Sequence, residues 1–221
     1  MIAALLQQIP PAGVDATPAP VSDLATPNVP WSYLLPLLIL ALGALVGLAA
    51  VAFVRKAFPR FIGAGYTVVV ATAALVSTVP LWNRVGNAKE GAISAVSGAV
   101  GIDRFSLFIT GVICVSVILV ALLADGYLRR EGLEGPDLYL LMLMSAAGGV
   151  IMVSANDLIV LFIGLEVLSI SAYVMAAMHS RRLSSQEAGL KYFVLGGFGS
   201  AILLYGIAMV YGATGSTSLL H

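Results

Sequence analysis

Charge is scarce in this sequence: Lys and Arg number 11, Asp and Glu number 11, together 10% of 221 residues, and the two signs cancel. A soluble domain of this size needs more charge than that to cover its surface. No basic run is present, so nothing in the charge pattern favours nucleic acid as a partner. Cysteine is nearly missing. The single residue, Cys114, lies in an apolar run, which leaves no intrachain disulfide and reads as a buried thiol. Only His179 and His221 represent histidine, so the sequence offers no haem or metal ligand cluster. A nucleotide-binding glycine motif after a strand and a nucleophile–base pair are also lacking, and no cofactor is expected in this chain. Met1 to Ile9 has no basic residue ahead of its short apolar stretch, unlike a signal peptide.

What is abundant is apolar surface: 60% of residues are hydrophobic and the mean hydropathy is +1.01. Six apolar runs, 31–54, 61–82, 104–124, 137–155, 157–178 and 188–212, can each span a hydrocarbon core of about 30 Å at about 1.5 Å per helical residue. They lack the period-two alternation of a barrel, and a lone strand would leave its backbone unpaired in lipid. The expected fold is therefore all-α, a polytopic transmembrane bundle of six helices over 31–212. Residues 1–30, rich in Pro, Ala and Thr, read as a flexible outer tail, and 213–221 as an outer loop. Arg55, Lys56, Arg60, Arg129, Arg130, Arg181 and Arg182 fall in the loops of one side, which the positive-inside rule places in the cytoplasm, with the N-terminus outside. Asn83 to Gly101, rich in Gly, Ala and Ser, is expected to lie on the outer surface as a loop or short hairpin, with no evident chemistry.

Of the acidic residues, Glu166 is the one deep inside a run, about nine residues into the fifth span and close to the bilayer midplane. An ionised group there costs at least about 2.5–3.5 kcal/mol, which makes it a candidate for function. A neutral glutamic acid that hydrogen-bonds a neighbouring helix would account for the same residue structurally. Ser169 and Tyr173 share its helical face, making a polar stripe expected to face protein or water. Lys191 is the nearest candidate cation, one to two turns into the sixth span. At about 10 Å and an effective dielectric near 20 the pair would couple by about 1.7 kcal/mol. Glu187 stands four residues before Lys191, so an ordinary helical ion pair or snorkelling to the interface competes with that role. His179, Arg181 and Arg182 are placed to deliver protons at the cytoplasmic mouth, or simply to anchor the chain there. Ser145, Gly148 and Gly149, then Gly196, Gly197, Gly199 and Ser200, permit close helix contact.

From Asp157 to Ser216 the sequence DLIVLFIGLEVLSISAYVMAA and RRLSSQEAGLKYFVLGGFGSAILLYGIAMVYGATGS resembles the antiporter-like subunit N of respiratory complex I, NADH-quinone oxidoreductase. Upstream, Asp103 to Phe108 (DRFSLF) is consistent with it. The resemblance implies a proton-translocating membrane-arm subunit in the cell inner (plasma) membrane, with Glu166 as a charge-coupling element and Lys191 in the same polar axis; Ser169, Tyr173 and His179 are the supporting candidates that the residues themselves suggest. It implies a fold of about fourteen spans built on inverted repeats, of which this chain would be the first portion. It further implies FMN, iron–sulfur clusters and quinone in other subunits, and as partners the antiporter-like subunit M, the small subunit K and the lateral helix of subunit L. Two other readings remain: a subunit of a sodium/proton antiporter, which is similar to these proteins, and a scaffold that moves no ions.

Overall fold

The computed structural model describes residues 29–54, 60–87, 92–131, 136–179 and 182–219. The expected tail at 1–28, the basic residues Arg55, Lys56, Lys89 and Arg181, and His221 lie outside the described residues.

A single 3-10 turn, Trp31–Tyr33, leads into α1 (Leu35–Val54) and α2 (Arg60–Asn87). A hairpin of β1 (Ala92–Ala95) and β2 (Val100–Asp103) follows, then α3 (Arg104–Glu131), α4 (Asp137–Val153), α5 (Leu158–Ala176) and α6 (Leu183–Thr214). Each helix falls on one of the six apolar runs. Five are long and apolar enough to cross a membrane. The exception is α4, whose 17 residues rise about 25 Å. It still runs between the same two ends as its neighbours: Pro136 packs on Gly63 at one end, and Ser154 accepts a hydrogen bond from the Gly101 amide at the other.

Three helices outrun their apolar stretches. Beyond Pro80, α2 continues to Asn87, α3 reaches Glu131, and α6 begins five residues ahead of the expected 188. Apolarity marks where the chain meets hydrocarbon, whereas the helix persists wherever its backbone bonds can continue in water. Toward the extended ends of α3 and α6 charged pairs appear. Asp125 with Arg129 (2.8 Å) and Glu187 with Lys191 (2.5 Å) are both four residues apart.

The core centres on α4. Leu140, Leu143, Ala147 and Val150 meet Leu40 and Ala44 of α1, Ala71 and Ala74 of α2, and Cys114 of α3, which is fully buried. Hydroxyls tie the helices where water is absent: Tyr66 donates to the Gly43 carbonyl at 2.7 Å, and Thr67 to the Tyr139 carbonyl at 3.2 Å. Between α4 and α5 the backbones touch. A Cβ built at Gly148 would stand 2.5 Å from the Leu168 amide nitrogen, and one at Gly164 would stand 2.8 Å from the Met152 nitrogen. In contrast, α6 packs mainly on α5, along Gly189, Gly196, Ser200 and Ile207, and most of its other side chains are exposed.

The end carrying the hairpin is held by backbone pairing. Gly98, at φ +95°, closes the turn between β1 and β2, and Val96 and Ser97 also have positive φ. The linker between α4 and α5 lies against β2: the Gly101 amide donates to the Ser154 carbonyl (2.8 Å) and the Asn156 amide to the Ala99 carbonyl (2.9 Å). On its other side the linker pairs with the segment after α6, through Leu158 N–H to the Thr217 carbonyl (2.9 Å) and Leu219 N–H to the Asn156 carbonyl (2.8 Å). The segment expected as an outer loop from 213 is helical to Thr214 and then paired as far as Leu219.

Replacing Gly148 by Ala must separate α4 from α5 and should lower stability by about 1–3 kcal/mol, measured by thermal unfolding in detergent. Gly197→Ala, with no atom within 4 Å of its added methyl, should leave the midpoint unchanged or raise it.

Candidate functional site

Glu166 stands eight residues from the start of α5 and ten from its end, about 12 and 15 Å along the axis. It is half-buried, and its Oε1 is enclosed without a hydrogen-bond partner among the described residues. Helical spacing puts it where two stripes meet. Ile159, Ile163, Ile170 and Val174 form an exposed apolar face, and Ser169 and Tyr173 turn toward α6. The carboxyl therefore occupies the seam between α5 and α6, while Gly164 and Leu168 on the other side of α5 press on α4.

Tyr173 fixes that seam. It is buried, its ring lies edge-on to Tyr192 (4.8 Å between centroids) and to Phe193 (5.9 Å), and its hydroxyl rests on the bare backbone of Gly196. Any side chain at residue 196 would collide with that hydroxyl. Gly196 is therefore a socket for one tyrosine, a more specific role than general helix closeness, whereas Gly197 and Gly199 have no neighbour within 4 Å. Ser169 is half-buried on the same stripe.

Lys191 is placed differently from Glu166. Two residues past Gly189, which packs on Ala177 just after α5, it lies about 200° around α6 from that contact. Its ammonium pairs with Glu187, and its side chain is 74% exposed. The structure does not bring Lys191 to Glu166; the helical ion pair that its spacing allowed is the one that forms.

At the opposite end from the hairpin, a cavity of about 400 Å³ opens between the ends of α3, α5 and α6, lined by Tyr127, Met175, His179, Arg182 and Ser185 among others. His179 Nδ1 is enclosed there without a hydrogen-bond partner among the described residues. Arg182 reaches Glu131 at 2.6 Å, joining the turn before α6 to the end of α3. The Ser185 hydroxyl donates to the Ala176 carbonyl at 2.7 Å, satisfying an otherwise unpaired group in the last turn of α5. His179 and Arg182 thus share a vestibule that reaches Met175, nine residues or about 14 Å along α5 from Glu166.

Asp157 was readable only as a helix-start signal ahead of the apolar run. Its Oδ1 caps α5, accepting from the Ile159 amide at 2.8 Å and the Val160 amide at 3.4 Å, and its Oδ2 accepts from the Thr217 hydroxyl at 2.5 Å. It thereby fixes α5, and with it Glu166, to the segment that follows α6. Asp157 lies just outside the apolar helix. Burial pushes its carboxyl up, but the Thr217 hydroxyl and the two amides outweigh that and leave it below the ordinary carboxylate range. Because the folded chain holds the ionised form more tightly, this stabilisation is present above the unfolded value and is lost as pH falls through the depressed folded one. Asp157→Asn should cost about 1 kcal/mol near neutral pH, and the difference from the parent in thermal midpoint should shrink below about pH 4.

Comparison with known proteins agrees with this architecture. Residues 155–221 match the family described as NADH:quinone oxidoreductase/Mrp antiporter, TM. NADH-quinone oxidoreductase subunit N of Myxococcus xanthus is 40% identical over 186 residues, covering 84% of this chain and 35% of that protein. Subunit N of Chloroflexus aggregans is 34% identical over 203 residues, covering 90% of this chain and 39% of its own length. Respiratory complex I from Thermus thermophilus contains a chain that matches with a TM-score of 0.65 and 28% identity, over 83% of this chain and 38% of that one. The membrane-bound sulfane sulfur reductase, an archaeal respiratory membrane complex, gives a TM-score of 0.67 and 25% identity, over 82% and 38%. The chain spans little more than a third of the length of these relatives. Its multi-pass helical bundle, its match to antiporter-like membrane subunits and its subunit N homologues place it in the NADH-quinone oxidoreductase subunit N family of multi-pass plasma-membrane proteins.

Proposed function

We propose that this chain forms part of a proton-translocating membrane-arm subunit of an NADH-quinone oxidoreductase, in which Glu166 changes charge as quinone reduction elsewhere drives pumping. The observation that carries the proposal is a carboxyl near the middle of an apolar helix with one oxygen enclosed and unpaired, on the seam between two helices. An ionisable group is expensive to keep at that depth, and a route for protons is the usual reason for its presence. Tyr173 and Ser169 shape the seam, and the vestibule holding His179 supplies a polar mouth on its cytoplasmic side. Lys191 pairs with Glu187 on the side of α6 that faces away from α5, so a part in the same polar axis needs a covering surface that the described residues do not supply.

In this proposal FMN, iron–sulfur clusters and quinone belong to other subunits. The neighbours are the antiporter-like subunit M, the small subunit K and the lateral helix of subunit L. A sodium/proton antiporter subunit is the second reading, favoured by the matched family's own description, which joins both kinds of protein. A scaffold without transport is the third.

Glu166→Gln in the assembled complex separates them. Proton pumping into membrane vesicles should fall to about a tenth or less, while electron transfer from NADH to an artificial acceptor is retained. Near-normal pumping would identify the subunit as a scaffold. Sodium-dependent proton movement without NADH would favour the antiporter.

A further inference from the structure

At the hairpin end, α2 and α3 pack against each other and leave a furrow of about 550 Å³ along their outward side. That volume lies within the range of sites that bind discrete small molecules, about 300–1,000 Å³. Its lining is mainly apolar, and its floor is Gly111, where the missing side chain leaves Leu75 as the nearest neighbour at 3.7 Å. The furrow runs from Trp82 and Asn83 at its mouth to Leu75 and Ser116 at its deep end. On either helix that is eight to nine residues, about 12–14 Å, close to the depth of one leaflet of a core about 30 Å thick. A helix body about 10–12 Å across cannot reach the floor of a furrow between two touching helices, but a single hydrocarbon chain can.

The mouth carries a guanidinium. The Arg104 guanidinium lies over the Trp82 ring, 5.9 Å from its centroid, in the space left by the absent side chain of Gly86. Arg104 has no carboxylate partner among the described residues, and the adjacent Asp103 is occupied by the Ser106 amide at 2.6 Å. An indole at interface depth beside a guanidinium with no carboxylate partner among the described residues suits the phosphate level of a bilayer. We propose that this furrow is a binding site for an anionic phospholipid, with one acyl chain on Gly111 and the headgroup phosphate on Arg104. The proposal needs only the membrane location and does not depend on proton transport.

Trp82 is itself the reporter, because the chain has two tryptophans and Trp31→Phe leaves it alone. The full chain in that background would be placed in phosphatidylcholine vesicles carrying a minor fraction of brominated-chain phosphatidylglycerol or brominated-chain phosphatidylcholine, with fluorescence referred to unbrominated vesicles. The anionic lipid should reach half-maximal quenching at about a fivefold lower fraction, the effect of one basic residue at an anionic surface. Arg104→Gln should abolish the preference, Arg104→Lys should keep most of it, and Gly111→Leu should weaken quenching by both lipids. Equal quenching by the two lipids in the parent, or a preference that survives Arg104→Gln, would overturn the proposal. Absence of quenching by either lipid in the parent would overturn it too.

Discussion

The backbone contact between α4 and α5 governs how the rest of the chain is arranged. Gly148 and Gly164 carry no side chains, so the two helices approach until one backbone lies on the other. In hydrocarbon no hydrophobic effect draws helices together, and close packing of this kind is what holds them. The contact fixes the rotation of α5. Gly164 and Leu168 must face α4, and Glu166 is thereby turned to the opposite seam, where α6 arrives. A carboxyl two residues from such a glycine has little freedom over which side it faces.

A second constraint acts at the hairpin end. Amides and carbonyls of half-buried segments are held most firmly when they pair within the protein. The linker between α4 and α5 pairs with β2 on one side and with the segment after α6 on the other. Asn156 lies directly over Gly101, and Asp157 joins its own helix to Thr217. These contacts bring together parts of the chain far apart in sequence and set the start of the helix that carries Glu166. The other end is held by side chains, with Arg182 on Glu131 and Ser185 on Ala176. The two ends are therefore built on different principles, an interlocked strip of backbone at one and ion pairs around an open cavity at the other. For a subunit proposed to pass charge, that asymmetry gives one polar, accessible mouth.

The peripheral placement of α6 bears on the role of Lys191. The helix offers one narrow stripe to α5, and its opposite side, with Glu187 and Lys191, meets nothing among the described residues. An exposed lysine with a partner four residues away is the ordinary outcome of helix geometry. Its membership of a polar axis therefore requires a covering surface that the described residues do not supply.

Much of the bundle was legible in the sequence because lipid imposes a simple demand: a run of about 20 apolar residues has to be a helix, and loop charges then set its direction. The depth of Glu166 followed from counting residues, and the pairing of Lys191 with Glu187 followed from their spacing. Helix ends were less legible, since α2, α3 and α6 continue past their apolar stretches, α3 and α6 with polar pairs that hydropathy does not register. Three things were decided by tertiary structure alone. Gly196 became a socket because Tyr173 points at it from another helix; Asp157 gained Thr217, 60 residues away; and Arg104 came to rest on Trp82 across the hairpin. A period or a composition describes a residue's own helix, whereas these contacts depend on which helices stand beside one another and how each is rotated.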